Sequence, residues 1–576
     1  MPGESRVLRI GDWRVDPELD ELSREGQTIR VEPRTMQLLL YLAAHAGRVV
    51  DVQQLLNEVW SNVVVTQGSV YQAVAQLRRI LGDDSEHPKY IENLPRRGYR
   101  LIARVALSPT NVAPTSTVTF APPPHSVAVL PFVNLSGDKE QEYFSDGLTE
   151  ELLNSLSRIN ELRVVGRTSS FYFKGAHADL ATITHKLNVA TVLEGSVRRS
   201  ADTVRVSAQL INAETGFHLW SETYDRGLAD VLKLQTEIAN AVTSALRITL
   251  LGDTEAKIEL GGTRNPAAFD AYLRGAKAHT NYKTSEDLQA VIAAYTEAIR
   301  LDPNYALAFA GRSLALTFST FSAGPGRERI LAAAQADAQK AIALAPPMTE
   351  GHIALATFFA ATLDLSQAMA EYERALTLGP GNARALQPAG TFLVLMGRTD
   401  RGIATARRVV AIDPLNPLSH FSLGGALFYA RRYEEAVAAF GQVVSLGPDA
   451  PRGYCYRGFA YLSLGSPERA RESCAVKPEW WGNLSCLALA DDRLGRHADA
   501  ETALTRLKAL MGDGAAYEYA AIYAQWGGTG EALSWLETAL RLRDPYLVTL
   551  KTDPRIDPVR KEPRFQAVMR ELKFPG

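Results

Sequence analysis

Over Val7–Asp16 and Glu21–Val31 apolar and polar residues alternate, the period of strands with one buried face. From Pro33 the period lengthens to that of a helix. Proline suits the first helical turn, MQLLLYLAAHAG continues the segment, and Gly47 closes it. A second helix is predicted over Val52–Trp60 behind Asp51, a good N-cap. A third, Thr66–Leu81, sets Val70, Val74, Leu77 and Leu81 on one apolar stripe. Alternation then returns in PKYIENLPRRGYRLIARV (Pro88–Val105), which reads as a strand, a basic turn and a returning strand. Three helices and a hairpin predict a tri-helical core with a wing over residues 1–105.

Residues 106–125 (ALSPTNVAPTSTVTFAPPPH) are rich in Pro, Ser and Thr and read as an extended linker. Beyond them, 126–251 mixes strand and helix periods. SVAVLPFVNLSGD is a buried strand ending in a turn, FSDGLTEELLNSLSRI a helix, LRVVGR a strand, and VRVSAQLINAETGFHLWSETYD a hairpin edge. A closing helix spans Val231–Leu246. The prediction is an α/β domain with a mixed sheet.

From residue 265 to 576 one helix ending recurs: AIRLDP, AIALAP, ALTLGP, VVAIDP and VVSLGP, with prolines at 303, 346, 380, 414 and 448. The spacings are 43, 34, 34 and 34 residues, so the period is that of tetratricopeptide helix pairs. The long first interval fits a surplus looped out at Phe321–Arg329. Fainter copies at Pro478, Gly512 and Pro545 carry the array to the end. Small residues Ala356, Gly390, Gly424 and Ala460 allow close helix approach, and stacked pairs leave a concave groove suited to a protein or peptide partner. Trp480, Trp481, Tyr454 and Tyr456 are candidates for lining it, with core packing the commoner fate of such residues. The fold class is therefore multidomain: a winged helix, a central α/β domain and an all-α solenoid.

The 576 residues carry 62 Lys+Arg against 64 Asp+Glu, so a nucleic-acid site must be a local patch. Residues 1–105 balance at 14 of each sign. From Arg78 to Arg104, however, seven basic residues face four acidic ones. No window is apolar for the length a membrane helix needs, and MPGESRVLRI is not a secretory signal, which points to the cytoplasm and no membrane partner. Cys455, Cys474 and Cys486 are odd in number and lack CxxC spacing, so reduced thiols are expected. The chain lacks GxxxxGK[ST], GxSxG and HExxH, and its 10 His show no metal-ligand spacing. No enzyme activity, metal or cofactor is expected.

The polar face of the third helix holds Ser69, Gln72, Ala73, Gln76 and Arg79, and glutamine there can offer amide forks to base edges in a major groove. QLRRILGDD (Gln76–Asp84) followed by YIENLPRRGYRL (Tyr90–Leu101) resembles the winged-helix DNA-binding domain of OmpR- and PhoB-like regulators, in the version found in CadC- and ToxR-like activators. The resemblance implies a recognition helix contributing Gln72, Gln76, Arg78 and Arg79, and a wing contributing Arg96, Arg97 and Tyr99, with double-stranded DNA as partner. CadC- and ToxR-like proteins place a membrane helix after this domain; here a linker stands instead.

VAVLPFVNLS, FSDGLTEEL, VLEGSVRR and LWSETYD resemble the TolB-like α/β domain, which implies a fold more than a chemistry. Asp146, Glu194 and Trp220 are candidates for a ligand crevice there, against turn capping and core packing, which are favoured. Glu150 and Glu151 read as favourable charges near a helix N-terminus. Two functions remain: a cytosolic transcription regulator whose central and repeat domains sense, pair copies of the chain or bind partners, and a scaffold in which the winged helix only docks.

Overall fold

The computed structural model describes residues 8–16, 21–24, 27–31, 33–59, 67–84, 87–94, 97–107, 122–138, 141–159, 161–175, 178–200, 203–227, 230–246, 260–281, 285–320 and 326–575. The chain divides into two compact units, Met1–Thr119 and Phe120–Gly576.

The first unit begins with four short antiparallel strands, β1 (Leu8–Ile10), β2 (Trp13–Asp16), β3 (Glu21–Arg24) and β4 (Gln27–Arg30). Three helices come next, α1 (Pro33–Ala44), α2 (Val52–Val59) and α3 (Gln67–Leu81), then the hairpin β5 (Ile91–Leu94) and β6 (Gly98–Leu101). Asp51 caps α2 through a 2.8 Å bond from the Gln54 amide. Val70, Val74, Leu77 and Leu81 are all buried in the core of this unit, as their stripe predicts. The chain then pairs back on β1 as β7 (Val105–Leu107), giving the order β4-β3-β2-β1-β7. The first two residues read as linker are thus strand, because Leu107 stands opposite Leu8; residues 108–121 lie outside the described residues.

In the second unit β8 (Ser126–Val129) lies between β10 (Arg163–Val164) and β11 (Thr191–Ser200), both parallel to it. β12 (Thr203–Asn212) and β13 (His218–Gly227) extend the sheet antiparallel, and β9 (Val133–Asn134) pairs beside β11. One face packs on α4 (Glu142–Ser157) and α7 (Val231–Ala245). Against the other lie Ile183 and Leu187 of α6 (Leu180–Leu187), with α5 (Arg167–Phe171) in the connection before it.

Sixteen of the helices that come after these among the described residues form eight pairs, from α8 (Pro266–Asn281) to α23 (Thr529–Leu542). First helices starting at Ala306, Thr349, Ala383, Pro417 and Pro451 reproduce the period read from the prolines. Of the surplus expected at Phe321–Arg329, residues 321–325 lie outside the described residues, and Arg327 already opens α11 (Arg327–Leu344). Close approach explains the small residues: a Cβ at Gly424 would stand 2.6 Å from the Phe440 ring.

Three expectations change here. The repeating pairs stop at Leu542, and the chain goes on as 3-10 turns at Pro545–Thr549 and Pro554–Val559 before α24 (Pro563–Leu572), with prolines breaking each attempt at a longer helix. The first of these turns lines the inner face of the array together with Thr391, Phe421 and Tyr429, leaving a recess of about 290 Å³. Leu547, Leu550, Ile556 and Val559 are fully buried, and Arg431–Asp557 (2.6 Å) and Lys551 to the Met396 carbonyl (3.0 Å) tie the segment across the stack. Trp480, Trp481 and Tyr456 border a neighbouring recess, whereas Tyr454 is buried.

Second, Cys474 and Cys486 form a disulfide, and only Cys455 is a free, buried thiol. The short helix Pro467–Cys474 turns straight into the next pair and brings the two sulfurs together beside Gly458. Third, the α/β block and the array belong to one compact unit. Glu150 and Glu151 are not near a helix start. They lie mid-helix in α4 and are buried, Glu150 between Arg167 (2.6 Å) and Arg384 of the array, Glu151 against the Tyr272 hydroxyl of α8 (3.3 Å). Asp413 of the array accepts the Ser169 amide (2.7 Å), and the Gly166 amide donates to the Ile412 carbonyl (2.8 Å).

Candidate nucleic-acid interface

α3 contains no acidic residue, and its buried stripe fixes what the opposite face presents. Gly68, Tyr71, Gln72, Ala75 and Arg79 are exposed at helical spacing. Gln72 and Arg79 therefore stand where the sequence reading puts them. Gln76 is half-buried and accepts a 3.4 Å bond from the Thr35 hydroxyl, so part of its amide is engaged.

Ala73 is buried, only 9% exposed, because it falls one position before Val74 on the core side of the helix. It is no contact residue. Arg78 likewise turns inward: its guanidinium donates to the Ile91 carbonyl at 2.7 Å, and its side chain is 14% exposed. Asp83 completes this latch, accepting the amides of Lys89 (2.6 Å), Tyr90 (2.9 Å) and Ile91 (2.9 Å). Arg78 and Asp83 of the LRRILGDD run thus join the end of α3 to the start of the wing. Ser69 lies on α3, and nothing is described of its side chain; Arg96 lies outside the described residues.

The wing is held from below. Gly98 has φ +115°, and a Cβ there would stand 2.1 Å from the Val50 carbonyl oxygen. That contact leaves room for glycine alone. Tyr99 and Val50 exchange backbone bonds of 2.8 and 2.9 Å, and the Tyr99 ring is buried, with burial raising its phenol above the usual range. It supports the wing and does not face outward. Arg100 is consumed by Glu92 across the hairpin at 2.5 Å. Arg97 stays exposed at the turn. The outward set is thus Gln72, Arg79 and Arg97, joined by Tyr71, which the sequence reading missed. Tyr71 was legible in principle: it sits four residues before Ala75 and eight before Arg79, on the face away from the apolar stripe.

In the central domain the three crevice candidates do not converge. Glu194 accepts a 2.6 Å bond from Gln209 and lines a cleft of about 750 Å³ beyond the carboxyl end of β8. Asp146 is buried under Lys174 (2.5 Å) and Lys277 (3.5 Å), and Trp220 packs against the core. Among the described residues no group of three His, Cys, Asp or Glu is placed to hold a metal, and no helix is long and apolar enough to cross a membrane.

Residues 26–101 match the family model of the C-terminal domain of transcriptional regulatory proteins, so the first unit carries a winged-helix DNA-binding domain of that class. Residues 124–241 match the second domain of HilA/YgeH-like transcriptional regulators; this is the segment expected to resemble a TolB-like domain. Among curated relatives, the transcriptional activator CadC of Escherichia coli is 39% identical over 100 residues, 17% of this chain and 20% of its own. The transcriptional regulator HilA of Salmonella typhi is 26% identical over 288 residues, 49% and 48% of the two chains. A putative adenylate cyclase 3 of Rhizobium meliloti is 40% identical over 198 residues, 34% of each. The chain spans less than half the length of these relatives. Among solved structures, the DNA-binding domain of Escherichia coli CadC is 36% identical, covering 18% of this chain and all of that one at a TM-score of 0.17. A tetratricopeptide protein of Thermus thermophilus is 16% identical, covering 34% and 100% at 0.29.

Proposed function

We propose that this protein is a cytoplasmic transcription regulator that lays α3 in the major groove and sets its wing against the adjacent backbone or minor groove. The observation that carries the reading is the outward face of α3: a glutamine, a tyrosine and an arginine between small residues, with no acidic residue, beside an exposed wing arginine. Gln72 reads bases, with the free part of the Gln76 amide; Arg79 and Arg97, with Arg96 and Ser69 of the sequence reading, hold phosphates. The second unit supplies the input without a catalytic step, through a protein partner on the repeats or through self-association of the chain. Two such domains held together bind adjacent half-sites with raised effective concentration. For this division of labour the winged helix extends through β7 to Leu107, residues 108–125 act as tether, and the α/β block (126–251) and the array from 265 onward work as one unit.

Genome-wide mapping of DNA bound by the tagged protein tests the reading. It predicts discrete promoter sites sharing one sequence motif, lost when Gln72 and Arg79 are both replaced by Ala. Uniform background occupancy would leave the winged helix as a docking module of a scaffold.

A further inference from the structure

Where the α/β block meets the array there is a cleft of about 430 Å³, within the range of small-molecule sites. Its floor is apolar, built from Ile159, Val164 and Leu187 on one side and Ala411 and Ile412 on the other. Its polar side chains are cationic or neutral: Arg163 comes from β10 of the α/β block and Arg408 from the array helix Thr399–Ile412, with Asn188 at the end of α6. Among the described residues no Asp or Glu lines it.

Both arginines are exposed, and neither guanidinium has an ion-pair or hydrogen-bond partner among the described residues. That sets them apart from the arginines beside them. Arg167 and Arg384 are each committed to Glu150, and Arg407 to Glu435. Asn188 closes α6 in the left-handed conformation, φ 51°, and its side chain is likewise uncommitted. Two planar forks over an apolar floor, with no carboxylate to neutralise them, suit a carboxylate carried on an apolar body.

We propose that this cleft binds a small amphipathic acid, its carboxylate between Arg163 and Arg408 and its apolar body on Ile159, Leu187 and Ile412. Because the walls belong to different parts of the unit, the ligand ties the α/β block to the array. It does so beside the Gly166 to Ile412 and Ser169 to Asp413 bonds that already cross the seam. Pro123, shortly before β8, also lines the cleft, so occupancy reaches the segment by which the chain enters the α/β block.

The test is calorimetric titration of the full-length protein with sodium decanoate below its micellar range. One saturable site is expected, at least tenfold weaker in Arg163→Gln and in Arg408→Gln, and unchanged in Arg506→Gln, an exposed arginine far along the array. Neutral decanamide should bind at least tenfold more weakly than decanoate. Hydrogen exchange at the Gly166 and Ser169 amides should slow on binding, and not in the double variant. Neither arginine touches a carboxylate or carbonyl, so both variants should fold, which their thermal melts verify. Absence of saturable binding, equal binding of decanamide, or undiminished binding in the double variant would each overturn the proposal.

Discussion

Arg78 and Arg79 are neighbours in sequence with opposite fates, and the difference makes two predictions. Arg79→Ala should weaken binding to specific and scrambled duplexes alike while leaving the fold intact, and Arg97→Ala should do the same. Arg78→Ala should lower thermal stability by roughly 1–3 kcal/mol, because the Ile91 carbonyl loses a charge-assisted bond. Gln72→Ala is expected to reduce preference between sites by ~1–3 kcal/mol with little change on scrambled DNA. Duplex titrations paired with melts separate these outcomes. Periodicity identified the buried stripe and, by difference, Gln72 and Arg79. It did not identify the latch, since a basic residue at the end of a helix looks the same whether it meets phosphate or a carbonyl on the next strand. Ala73 and Tyr99 were misplaced for a related reason: a small or amphipathic residue fits either side of a boundary, and only packing decides. Glu151 gives a pH signature. Burial and the adjacent Glu150 raise its carboxyl to about 7, so the folded state holds a proton that the unfolded chain releases above about 4.5. Its effect on stability is therefore absent below the unfolded value, becomes destabilising as pH rises from about 4.5 to about 7, and is constant above that. Glu151→Gln should raise the melting temperature at pH 8 by the equivalent of roughly 1–3 kcal/mol and change it little at pH 5. Equal effects at both pH values would contradict this assignment.

The repeat helices were readable because Pro closes each second helix and the hydrophobic period repeats with it. The C-terminal segment beyond them was not. Its 3-10 turns after Leu542 carry no period, and their packing on the inner face depends on contacts with residues more than a hundred positions earlier, such as Arg431 with Asp557 and Arg543 with the Thr362 carbonyl. The anchor of that segment is Arg555, buried with Glu518 (2.7 Å) and Asp553 (2.8 Å) and stacked over Phe459. Arg555→Met would leave two buried carboxylates without their cation, a loss of about 3–5 kcal/mol. Thermal unfolding of the full chain measures it; a change under about 1 kcal/mol would show that the segment is not held by this cluster. The disulfide was missed because three cysteines with no motif give no pairing information. Cys474 and Cys486 meet only because the helix that carries Cys474 is short.

Sequence grammar separated the α/β block from the array, yet the pair Glu150–Arg384, the Tyr272 hydroxyl and the Asp413 contacts make them one unit. A truncation at residue 264 would strip α8 from α4, expose the apolar surface that Leu273 and its neighbours cover, and take from Glu150 and Glu151 their partners Arg384 and Tyr272. Such a fragment should aggregate or melt far below the full chain, whereas a cut between Thr119 and Phe120 falls between the two units. The winged helix was the most legible part of the chain, since its strands, stripe and wing follow local periods, and its outward face is set by the stripe. The function proposed for the whole protein stands on that face. Fluorescence anisotropy of residues 1–119 and of the full-length chain with duplexes from its own upstream region, across a salt series, puts it to the test. Binding by both is predicted, with log affinity falling linearly with log salt and shifted to weaker affinity in Arg79→Ala with Arg97→Ala. No binding at low salt by either protein, or binding that ignores both salt and those arginines, would contradict it.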